Sequence, residues 1–178
     1  TTIKSNIFDE IYINSEADIF EDIAKQYDVK FYKRPAYLAE DDKTNDDFAY
    51  EFLQNIECDN LIQLLTTSPF MSVDDVCSFV KNFEDNRYET LISVNNVQIE
   101  SIYDGIPINF NQKEITPPSQ DLKPIQAYAC GLMAWEKTRY MENMKKYNSA
   151  YHGGDGRTGF FELSGYATID IDTEDDFR

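Results

Sequence analysis

Strand-like and helix-like segments alternate along the first half of the chain, and this alternation constrains the fold more than any other feature of the sequence. Strand patterns lie at residues 10–14, 29–32, 61–65 and 91–94, and amphipathic helix patterns separate them. The third strand pattern is almost continuously apolar, which is typical of a strand buried on both faces of a parallel sheet. Successive strands joined by helices form parallel sheets through right-handed crossovers. The alternation therefore predicts an α/β fold with a mainly parallel sheet.

Capping signals mark two of the helix starts. Ser15-Glu16-Ala17-Asp18 resembles a capping box and precedes a helix with Ile19, Phe20 and Tyr27 on its apolar face. Ser72-Val73-Asp74-Asp75 precedes the helix that follows the third strand. In a capping box, the first side chain binds a backbone N–H three residues later and an acidic side chain returns the bond. Both segments are therefore predicted to begin helices.

The alternation stops at residues 95–125, which contain Asp104-Gly105 and several prolines but no helix period. Glycine and proline at these positions favour turns between short extended pieces. We interpret residues 95–125 as an arm or hairpin inserted into a single domain that spans residues 1–178. An inserted arm of this kind commonly contacts a partner chain.

The charge balance narrows the classes of ligand. The chain has 16 Lys and Arg residues against 33 Asp and Glu residues, a net charge of −17. Proteins that bind nucleic acid backbones or anionic membrane surfaces use clustered basic residues, so we expect no nucleic acid and no membrane partner. A single nucleotide needs only a local basic spot and a metal ion, and it is compatible with this charge.

Cysteine usage and the absence of a leader pattern predict a cytoplasmic protein. Cys58, Cys77 and Cys130 are widely spaced and form no Cys-x-x-Cys pair. Buried free thiols in a reducing compartment are the simplest account of such cysteines. No apolar run approaches the length of a membrane span, and the N-terminus has no signal-peptide pattern.

An acidic pair near the C-terminus predicts a metal site. Read as a strand, residues 167–172 place Asp170 and Asp172 on one face and two isoleucines on the other. Thr173 then has the features of a helix N-cap, so the pair would lie at the edge where α/β sheets bind ligands. Two adjacent carboxylates suit Mg²⁺, which keeps waters and substrate phosphates as its other ligands. The alternative is a solvated acidic strand end.

The irregular polar stretch at residues 33–45 holds candidate contacts to an anionic ligand. It carries Arg34 and Lys43, two of the few basic residues outside a predicted helix surface. Arginine suits a phosphate or a base carbonyl because its planar guanidinium offers two donors at once. For Arg34, the alternative to a ligand contact is an ion pair with Asp41 or Asp42. For Lys43 and Asn45, the alternative is a surface loop and a helix cap.

The Gly-rich loop at residues 151–159 holds His152, the only histidine of the chain. Its neighbours Gly153 and Gly154 predict a mobile loop close to a pocket. His152 is a candidate contact of a sugar or a phosphate, and the alternative is a structural or incidental side chain. The glycines follow no strand directly and open no helix, so they do not form a dinucleotide-binding fingerprint.

Several short motifs occur in a fixed order across nearly the whole chain. They are Phe8-Asp9-Glu10-Ile11-Tyr12-Ile13, Lys33-Arg34-Pro35-Ala36-Tyr37-Leu38-Ala39 with Asp41, Thr67-Ser68-Pro69, Ser119-Gln120-Asp121-Leu122, Gly131, and Ile169-Asp170-Ile171-Asp172-Thr173-Glu174-Asp175. In this order and spacing they resemble the CMP-sugar synthetases, the acylneuraminate cytidylyltransferase family and its relatives that activate nonulosonic acids. The resemblance implies a Rossmann-like three-layer nucleotidyltransferase that forms homodimers through an extension from its sheet. Residues 95–125 match that extension.

The resemblance also implies roles for individual residues. Asp170 and Asp172 match the acidic pair that holds Mg²⁺ against the triphosphate, and they would be the catalytic residues. The nucleotide-binding residues would be Arg34, Lys43, Thr44 and Asn45. The sugar-acid side would contain Thr67, Ser68, Gln120 and Gly131, to which we add His152 from its place in the Gly-rich loop.

The implied reaction is transfer of CMP from CTP to a nonulosonic, sialic-acid-like or related keto sugar acid, with release of pyrophosphate. Catalysis would come mainly from positioning and from neutralisation of developing charge by the metal. Two alternatives stay open. One is a catalytically degenerate or truncated relative that binds a nucleotide or sugar or acts as a scaffold. The other is a nucleotidyltransferase for another nucleotide or sugar acid.

The chain also departs from the family pattern. The family's opening strand and its Gly/Arg/Lys-rich loop, which cradles the triphosphate, are absent, so the fold is predicted to be N-terminally incomplete. Met71 and Pro118 stand where arginines are common, and Cys130 stands where asparagine is usual. Missing arginines affect recognition of the sugar acid more than that of the nucleotide. We therefore expect little or no catalysis by this chain alone.

Overall fold

The computed structural model describes the backbone of residues 1–178 and every side chain except that of Cys130. The α-helices of this described chain are α1 (Thr2–Ser5), α2 (Ile19–Gln26), α3 (Asn45–Asn55), α4 (Val73–Asp85) and α5 (Lys137–Tyr147). The strands are β1 (Tyr12–Ser15), β2 (Lys30–Lys33), β3 (Asn60–Leu64), β4 (Thr90–Val97), β5 (Ile102–Tyr103), β6 (Ile106–Pro107), β7 (Ile125–Glu136) and β8 (Thr158–Leu163). Each strand and helix predicted up to residue 94 is present close to its predicted bounds.

The main sheet has the strand order β3-β7-β4-β8. Strands β3 and β4 both run antiparallel to β7, and β4 runs parallel to β8. Three of these four strands therefore point in one direction, and β1 and β2 form a separate parallel pair. The shared direction of β3, β4 and β8 agrees with the predicted Rossmann-like α/β fold, and β7 is the one strand of the main sheet that runs the opposite way. The direction of β7 is not predictable from local periodicity, because it depends on pairing between segments far apart in the sequence.

Two apolar clusters pack on opposite faces of this sheet and give the fold its three layers. One joins α4 to the sheet and contains Phe79 and Leu132. The other joins α3 and α5 to the sheet and contains Leu53, Tyr140 and Met133. Leu132 and Met133 are adjacent on β7 and belong to different clusters because successive side chains of a strand point to opposite faces.

Strand β3 is less buried than its apolar sequence predicts. Its residues are all exposed or half-buried, whereas the pattern predicts burial on both faces. The reason is its place at the margin of the sheet: β7 pairs with one edge, and no strand among the described residues pairs with the other. Strand β1 likewise pairs only with β2. The main sheet and the β1–β2 pair therefore each leave a strand edge unpaired within the described chain.

Capping boxes begin both α3 and α4. At α4, the predicted box is present: the Ser72 hydroxyl accepts from the Asp75 N–H at 3.1 Å, and the Ser72 N–H donates to the Asp75 carboxylate at 2.9 Å. At α3, Thr44 and Asp47 make the same reciprocal pair. Each box satisfies backbone donors that a helix start otherwise leaves unpaired.

The capping box predicted at Ser15 is wrong. Helix α2 begins later, at Ile19, and its N-cap residue makes no side-chain cap bond. Asp18, which would return the bond, forms an ion pair with Lys33 instead, and the Ser15 hydroxyl accepts from the Ala17 N–H at 3.2 Å. The apolar face of α2 is also more exposed than predicted, with Ile19 at 68% and Tyr27 at 56%, because a two-stranded sheet covers little of a helix.

The segment predicted to be an inserted arm, residues 95–125, contains a hairpin and the ends of β4 and β7. Strands β5 and β6 make a hairpin whose turn residues, Asp104 and Gly105, have φ values of 49° and 77°, as expected for a two-residue hairpin turn. The arm exposes several large apolar side chains, including Tyr103 at 76% and Ile115 at 97%. Grouped exposed apolar side chains commonly mark a protein contact. The dimer contact itself stays a prediction.

Two cysteines agree in part with the prediction of buried free thiols. Cys58 and Cys77 are free thiols, and both are half-buried rather than buried. Burial raises the pKa of the Cys58 thiol. Cys130 lies outside the described side chains. Within the described chain, every helix is too short or too polar to cross a bilayer.

Tyr32 on β2 gives the fold a stability contribution that depends on pH. Its hydroxyl donates to Glu51 on α3 at 2.8 Å, and burial, followed by this carboxylate, raises the pKa of Tyr32 to about 12. In the unfolded chain the pKa of tyrosine is about 10. Because the folded value is the higher one, the contribution is complete below about pH 10 and is lost as the pH rises through about 12.

We therefore expect the free energy of unfolding to fall over this alkaline interval, and to fall less steeply in Tyr32→Phe. Urea titrations at several pH values would measure both slopes. Tyr27→Phe is a suitable control, because Tyr27 is 56% exposed and should leave the slope unchanged. Equal slopes for the wild type and Tyr32→Phe would contradict the prediction.

Candidate active site

The acidic pair lies beside the carboxyl end of β3. The backbone N–H of Ile171 donates to the carbonyl oxygen of Thr67 at 2.8 Å. Asp170 and Asp172 flank Ile171 and are exposed, whereas Ile171 itself is half-buried. The structure thus places both carboxylates on the solvent side of this segment and brings them to the predicted Thr67-Ser68 turn.

The strand predicted over residues 167–172 is wrong. Residues Gly165–Thr168 form a 3-10 turn, and an extended segment follows it. Gly165 adopts a φ of 59°, and the Thr168 hydroxyl donates to the Gly165 carbonyl at 2.9 Å. These local bonds take the place of strand pairing. The cap bonds predicted at Thr173 are present: its hydroxyl accepts from the Asp176 N–H at 3.4 Å, and its N–H donates to the Asp176 carboxylate at 2.8 Å. They close a turn and not a helix.

The acidic pair suits a hard divalent cation. Within the described chain, neither the Asp170 nor the Asp172 carboxylate has a hydrogen-bond or ion-pair partner. No group of three or more His, Cys, Asp or Glu side chains that could hold a metal occurs among the described residues. Mg²⁺ does not need such a group, because it commonly binds one or two carboxylates together with waters and phosphate oxygens. The donor set therefore fits Mg²⁺ bound with a phosphate ligand.

The turn after β3 packs closely against β7 at Gly131. The Leu65 N–H donates to the Gly131 carbonyl at 3.2 Å. A Cβ atom on Gly131 would lie 3.0 Å from Ser68 Oγ and 2.6 Å from Met71 Cε. Ser68 is buried, and its hydroxyl has no hydrogen-bond partner in the described chain. Gly131 thus permits the close approach that holds Thr67 and Ser68 in place.

We expect Gly131→Ala to lower the free energy of unfolding by about 1–3 kcal/mol, because overpacking forces neighbouring atoms to move. The terminal methyl of Met71 can rotate away, but the Cβ of Ser68, 3.2 Å from the added carbon, belongs to a buried turn. Chemical denaturation would measure the loss. A loss within the roughly 0.5 kcal/mol typical of neutral surface substitutions would show that the turn is not packed against β7 in this way.

Arg34 is held at the end of β2 by an acidic and an aromatic neighbour. Its guanidinium pairs with Glu16 and lies 4.5 Å from the centre of the Phe48 ring. This guanidinium lowers the pKa of the Glu16 carboxyl. The alternative pairing of Arg34 with Asp41 or Asp42 is therefore wrong. The Arg34 Nε is buried without a partner in the described chain.

The start of α3 carries the other predicted nucleotide contacts. Lys43 pairs with Asp42 at 2.9 Å, and Thr44 is the N-cap of the helix. The Asn45 side chain accepts a bond from Gln63 Nε2 at 3.5 Å. Because Gln63 lies on β3, this bond brings Asn45 toward the strand whose end meets the acidic pair.

Gln120 lies between the β5–β6 hairpin and β7. It belongs to a 3-10 turn at Ser119–Asp121 on the arm, and its backbone carbonyl accepts from the Gln98 side chain at 2.8 Å. In the described part of the chain, no hydrogen bond joins Gln120 to Thr67 or Ser68. The role of Gln120 as a sugar contact stays a prediction.

His152 sits in an aromatic cluster at the carboxyl end of the sheet. Its Nδ1 lies 3.3 Å from the Tyr128 hydroxyl, and its ring meets the Tyr151 ring edge-on, with centres 5.1 Å apart. Tyr128 lies on β7 opposite Val94 of β4. His152 is exposed, so one side of its ring is accessible to a ligand.

The loop around His152 is restrained, whereas its glycines predict mobility. On the C-terminal side, the buried Asn143 side chain of α5 donates to the Asp155 carbonyl at 3.0 Å and accepts from the Asp155 N–H at 3.0 Å. On the N-terminal side, the carboxylate of Asp46 binds the loop. The sequence predicts neither set of contacts. An aspartate at a helix start is expected in any case, because its negative charge interacts favourably with the helix dipole.

Comparison with known proteins gives the class to which this fold belongs. No protein-family model matches the chain. The solved structure of 4-diphosphocytidyl-2C-methyl-D-erythritol synthase from Anaerococcus prevotii is similar with a TM-score of 0.69 at 17% identity, covering 99% of this chain and 81% of that one. That of CMP:2-keto-3-deoxy-manno-octonic acid synthetase complexed with CTP gives a TM-score of 0.63 at 14% identity, covering 94% and 77%. The fold is that of the cytidylyltransferases.

Curated relatives extend this likeness to the sequence. The N-acylneuraminate cytidylyltransferases of Streptococcus agalactiae serotypes V and III are each 22% identical to the chain over 185 residues, which cover 98% of it. These matches confirm the resemblance to acylneuraminate cytidylyltransferases predicted from the motifs. The chain spans 43% of the length of these relatives.

Proposed function

We propose that this chain acts in a cytidylyltransferase that transfers CMP from CTP to a nonulosonic, sialic-acid-like or related keto sugar acid. The observation that carries the proposal is the backbone bond from Ile171 to Thr67. It sets the Asp170 and Asp172 carboxylates, which suit a metal–phosphate ligand, beside a turn that offers the Ser68 hydroxyl. The cytidylyltransferase fold, and a structural neighbour complexed with CTP, support the choice of nucleotide.

In this reaction the anomeric oxygen of the acid forms a bond to the α-phosphorus of CTP. The bond from that phosphorus to the pyrophosphate oxygen breaks, and the hydroxyl proton is released. We assign orientation of the acid to the hydroxyls of Thr67 and Ser68, because the Ser68 hydroxyl is buried without a partner in the described chain. Arg34 and Asn45 would bind the nucleotide from the side of β2 and α3.

Asp170 and Asp172 would hold Mg²⁺ in this site. When bound, Mg²⁺ neutralises the negative charge of the phosphates as pyrophosphate leaves. The solvent exposure of both carboxylates leaves space for the waters and phosphate oxygens that complete its ligand shell. The two residues contribute charge and orientation and no covalent bond.

Pyrophosphate release tests the proposed function. The chain would be incubated with CTP, Mg²⁺ and a panel of keto sugar acids, with UTP in place of CTP as the matched control. Release that depends on the acid and on CTP supports the proposal. No release with any acid, together with no CTP binding in calorimetry, would contradict it.

One observation favours a second candidate, a degenerate relative that binds a nucleotide without turnover. The two basic residues among the predicted nucleotide contacts are already paired, Arg34 with Glu16 and Lys43 with Asp42. Calorimetry with CTP, with and without Mg²⁺, on the wild type and Asp172→Ala distinguishes the two candidates. Binding without a metal-dependent difference favours the binding module, whereas metal-dependent binding that Asp172→Ala removes favours the enzyme.

We further propose that the arm at residues 95–125 forms a homodimer contact. The proposal is supported by the exposed apolar side chains of the hairpin, among them Ile102 at 61% and Ile106 at 68%. Sedimentation equilibrium at micromolar concentration would measure the assembly state. A monomer at every protein concentration measured would contradict the proposal.

A cytoplasmic location is proposed from the thiols. Cys58 and Cys77 are free, as is usual for a reducing compartment. Fractionation of cells that express the protein would test this location, and recovery outside the cytoplasm would contradict it.

A further inference from the structure

The carboxylate of Asp46, at the start of α3, binds the loop that leads to His152. Its Oδ1 accepts from the backbone N–H groups of Ala150 and Tyr151 at 2.7 and 2.8 Å. Its Oδ2 accepts from the Ser149 hydroxyl at 3.1 Å. The Tyr140 hydroxyl of α5 adds a fourth bond to Oδ1 at 3.2 Å. Four donors from two segments therefore converge on one side chain.

The residues that Asp46 binds are continuous with the aromatic cluster around His152. Tyr151 presents its carbonyl to the indole N–H of Trp135 at 3.2 Å, and its ring meets the His152 ring edge-on. His152 in turn reaches the Tyr128 hydroxyl. The orientation of His152 thus follows from the position of Tyr151, which Asp46 fixes through a backbone bond.

Asp46 also belongs to the segment that carries the proposed nucleotide contacts. Thr44 is the N-cap of α3, and Asn45 is its first residue. Any displacement of this helix start moves Asp46 with it, because the three residues are consecutive in a capped and hydrogen-bonded turn. The start of α3 and the His152 loop are therefore expected to move together.

We propose that Asp46 is a positioning residue that locks the His152 loop to the start of α3 and thereby couples the nucleotide side of the site to the sugar side. The lock rests on the contacts of the folded chain alone. The coupling to ligands rests on the proposed function. Charged acceptors give the stronger class of hydrogen bond, which suits one carboxylate that holds a loop against a helix.

The lock can be tested without any ligand, because the chain contains one histidine and one tryptophan. Their ring signals in NMR spectra are therefore unambiguous reporters of the loop. In Asp46→Asn we expect both the His152 and the Trp135 signals to shift. We also expect the Ala150 and Tyr151 amides to exchange with solvent about tenfold faster, because a neutral acceptor binds them less strongly.

Asp47→Asn is the matched control. It removes the same charge from the same turn of α3, but Asp47 binds Thr44 and not the loop. The two ring signals should stay in place in this variant. Ser149→Ala, which removes one bond and retains the charge, should cause a smaller shift in the same direction and serves if Asp46→Asn fails to fold. Unchanged ring signals and exchange rates in both Asp46→Asn and Ser149→Ala would overturn the lock.

Addition of CTP and Mg²⁺ tests the coupling separately. In the wild type and in Asp47→Asn, the His152 signal should shift on titration, and in Asp46→Asn this shift should be lost although CTP still binds. An identical ligand-induced shift in Asp46→Asn would overturn the coupling. Absence of CTP binding to the wild type would count against the proposed function, whereas the ligand-free comparison would still decide the lock.

Discussion

Within the cytidylyltransferase in which this chain is proposed to act, Asp172→Ala is expected to lower the rate of CMP transfer by about 100-fold or more, because the loss of one charged group at a metal and phosphate site commonly costs this much. The Asp172 carboxylate is exposed, and its backbone N–H keeps its bond to the Asp176 side chain after the substitution. The local turn should therefore persist. Pyrophosphate release at saturating CTP, measured over a range of Mg²⁺ concentrations, would give both the rate and the metal dependence.

Asp175→Ala is the matched control for this result. Asp175 lies three residues further along, is highly exposed, and lies 3.9 Å from Arg178. Its removal changes the net charge by the same amount and should leave the rate within about twofold, as is usual for an exposed ion pair. Equal losses in the two variants would mean that the general acidity of the segment, and not the Asp170–Asp172 pair, supports activity.

The acidic pair also shows what a local pattern can predict. Charged and apolar residues alternate around Ile171, so Asp170 and Asp172 share a side in any extended backbone, and this part of the prediction is correct. The strand is wrong because a strand needs a partner, and here Gly165 and Thr168 satisfy the backbone locally. Side-chain direction depends on neighbouring residues, whereas strand pairing depends on distant ones.

The same distinction explains which parts of the fold were predictable. The order of helices and strands depends on periodicity and capping, which short windows of sequence contain. The antiparallel insertion of β7 depends on pairings such as Ile62 with Ala134, which no window contains. The apolar run of β3 predicts a central strand, although this strand lies at the margin of the described sheet. The hydrophobicity of a segment indicates how much apolar surface it can bury, but not how many strands pair with it.

The candidate site was predictable only where a motif carries the chemistry. The Arg34 and Thr67-Ser68 segments were identified by such motifs. Asp46 was not, since its partner Ala150 lies 104 residues away and an acidic residue at a helix start is unremarkable in a chain of this composition. His152 was identified by its residue type and by its place in the Gly-rich loop, whereas the contacts of Asp46 and Asn143 that restrain this loop depend on tertiary structure.

Trp135→Ala is expected to lower the free energy of unfolding by about 3–5 kcal/mol. Trp135 on β7 is 0% exposed, and its ring centre lies 5.4 Å from that of Tyr140 and 5.7 Å from that of Tyr151. The substitution opens a cavity beneath α3 and α5. It also removes the indole N–H that donates a hydrogen bond to the Tyr151 carbonyl. Because domains are stable by only about 5–15 kcal/mol, this variant should lie close to unfolding.

Urea titration followed by far-UV circular dichroism measures this loss, since the variant lacks the only tryptophan. Phe79→Ala is the matched control, because Phe79 is equally buried in the cluster on the opposite face of the sheet. Its loss of stability should be similar. A loss below about 1 kcal/mol for Trp135→Ala would contradict the packing described for β7.

Milder substitutions at the same two positions separate stability from positioning. Trp135→Phe and Phe79→Leu should each cost about 1–2 kcal/mol and retain the fold. Only Trp135→Phe should shift the His152 ring signal, because Trp135 binds the carbonyl of the residue next to His152. If Phe79→Leu moved that signal equally, the loop would respond to the stability of the whole sheet, and the contact between Trp135 and Tyr151 would have no specific part in holding His152.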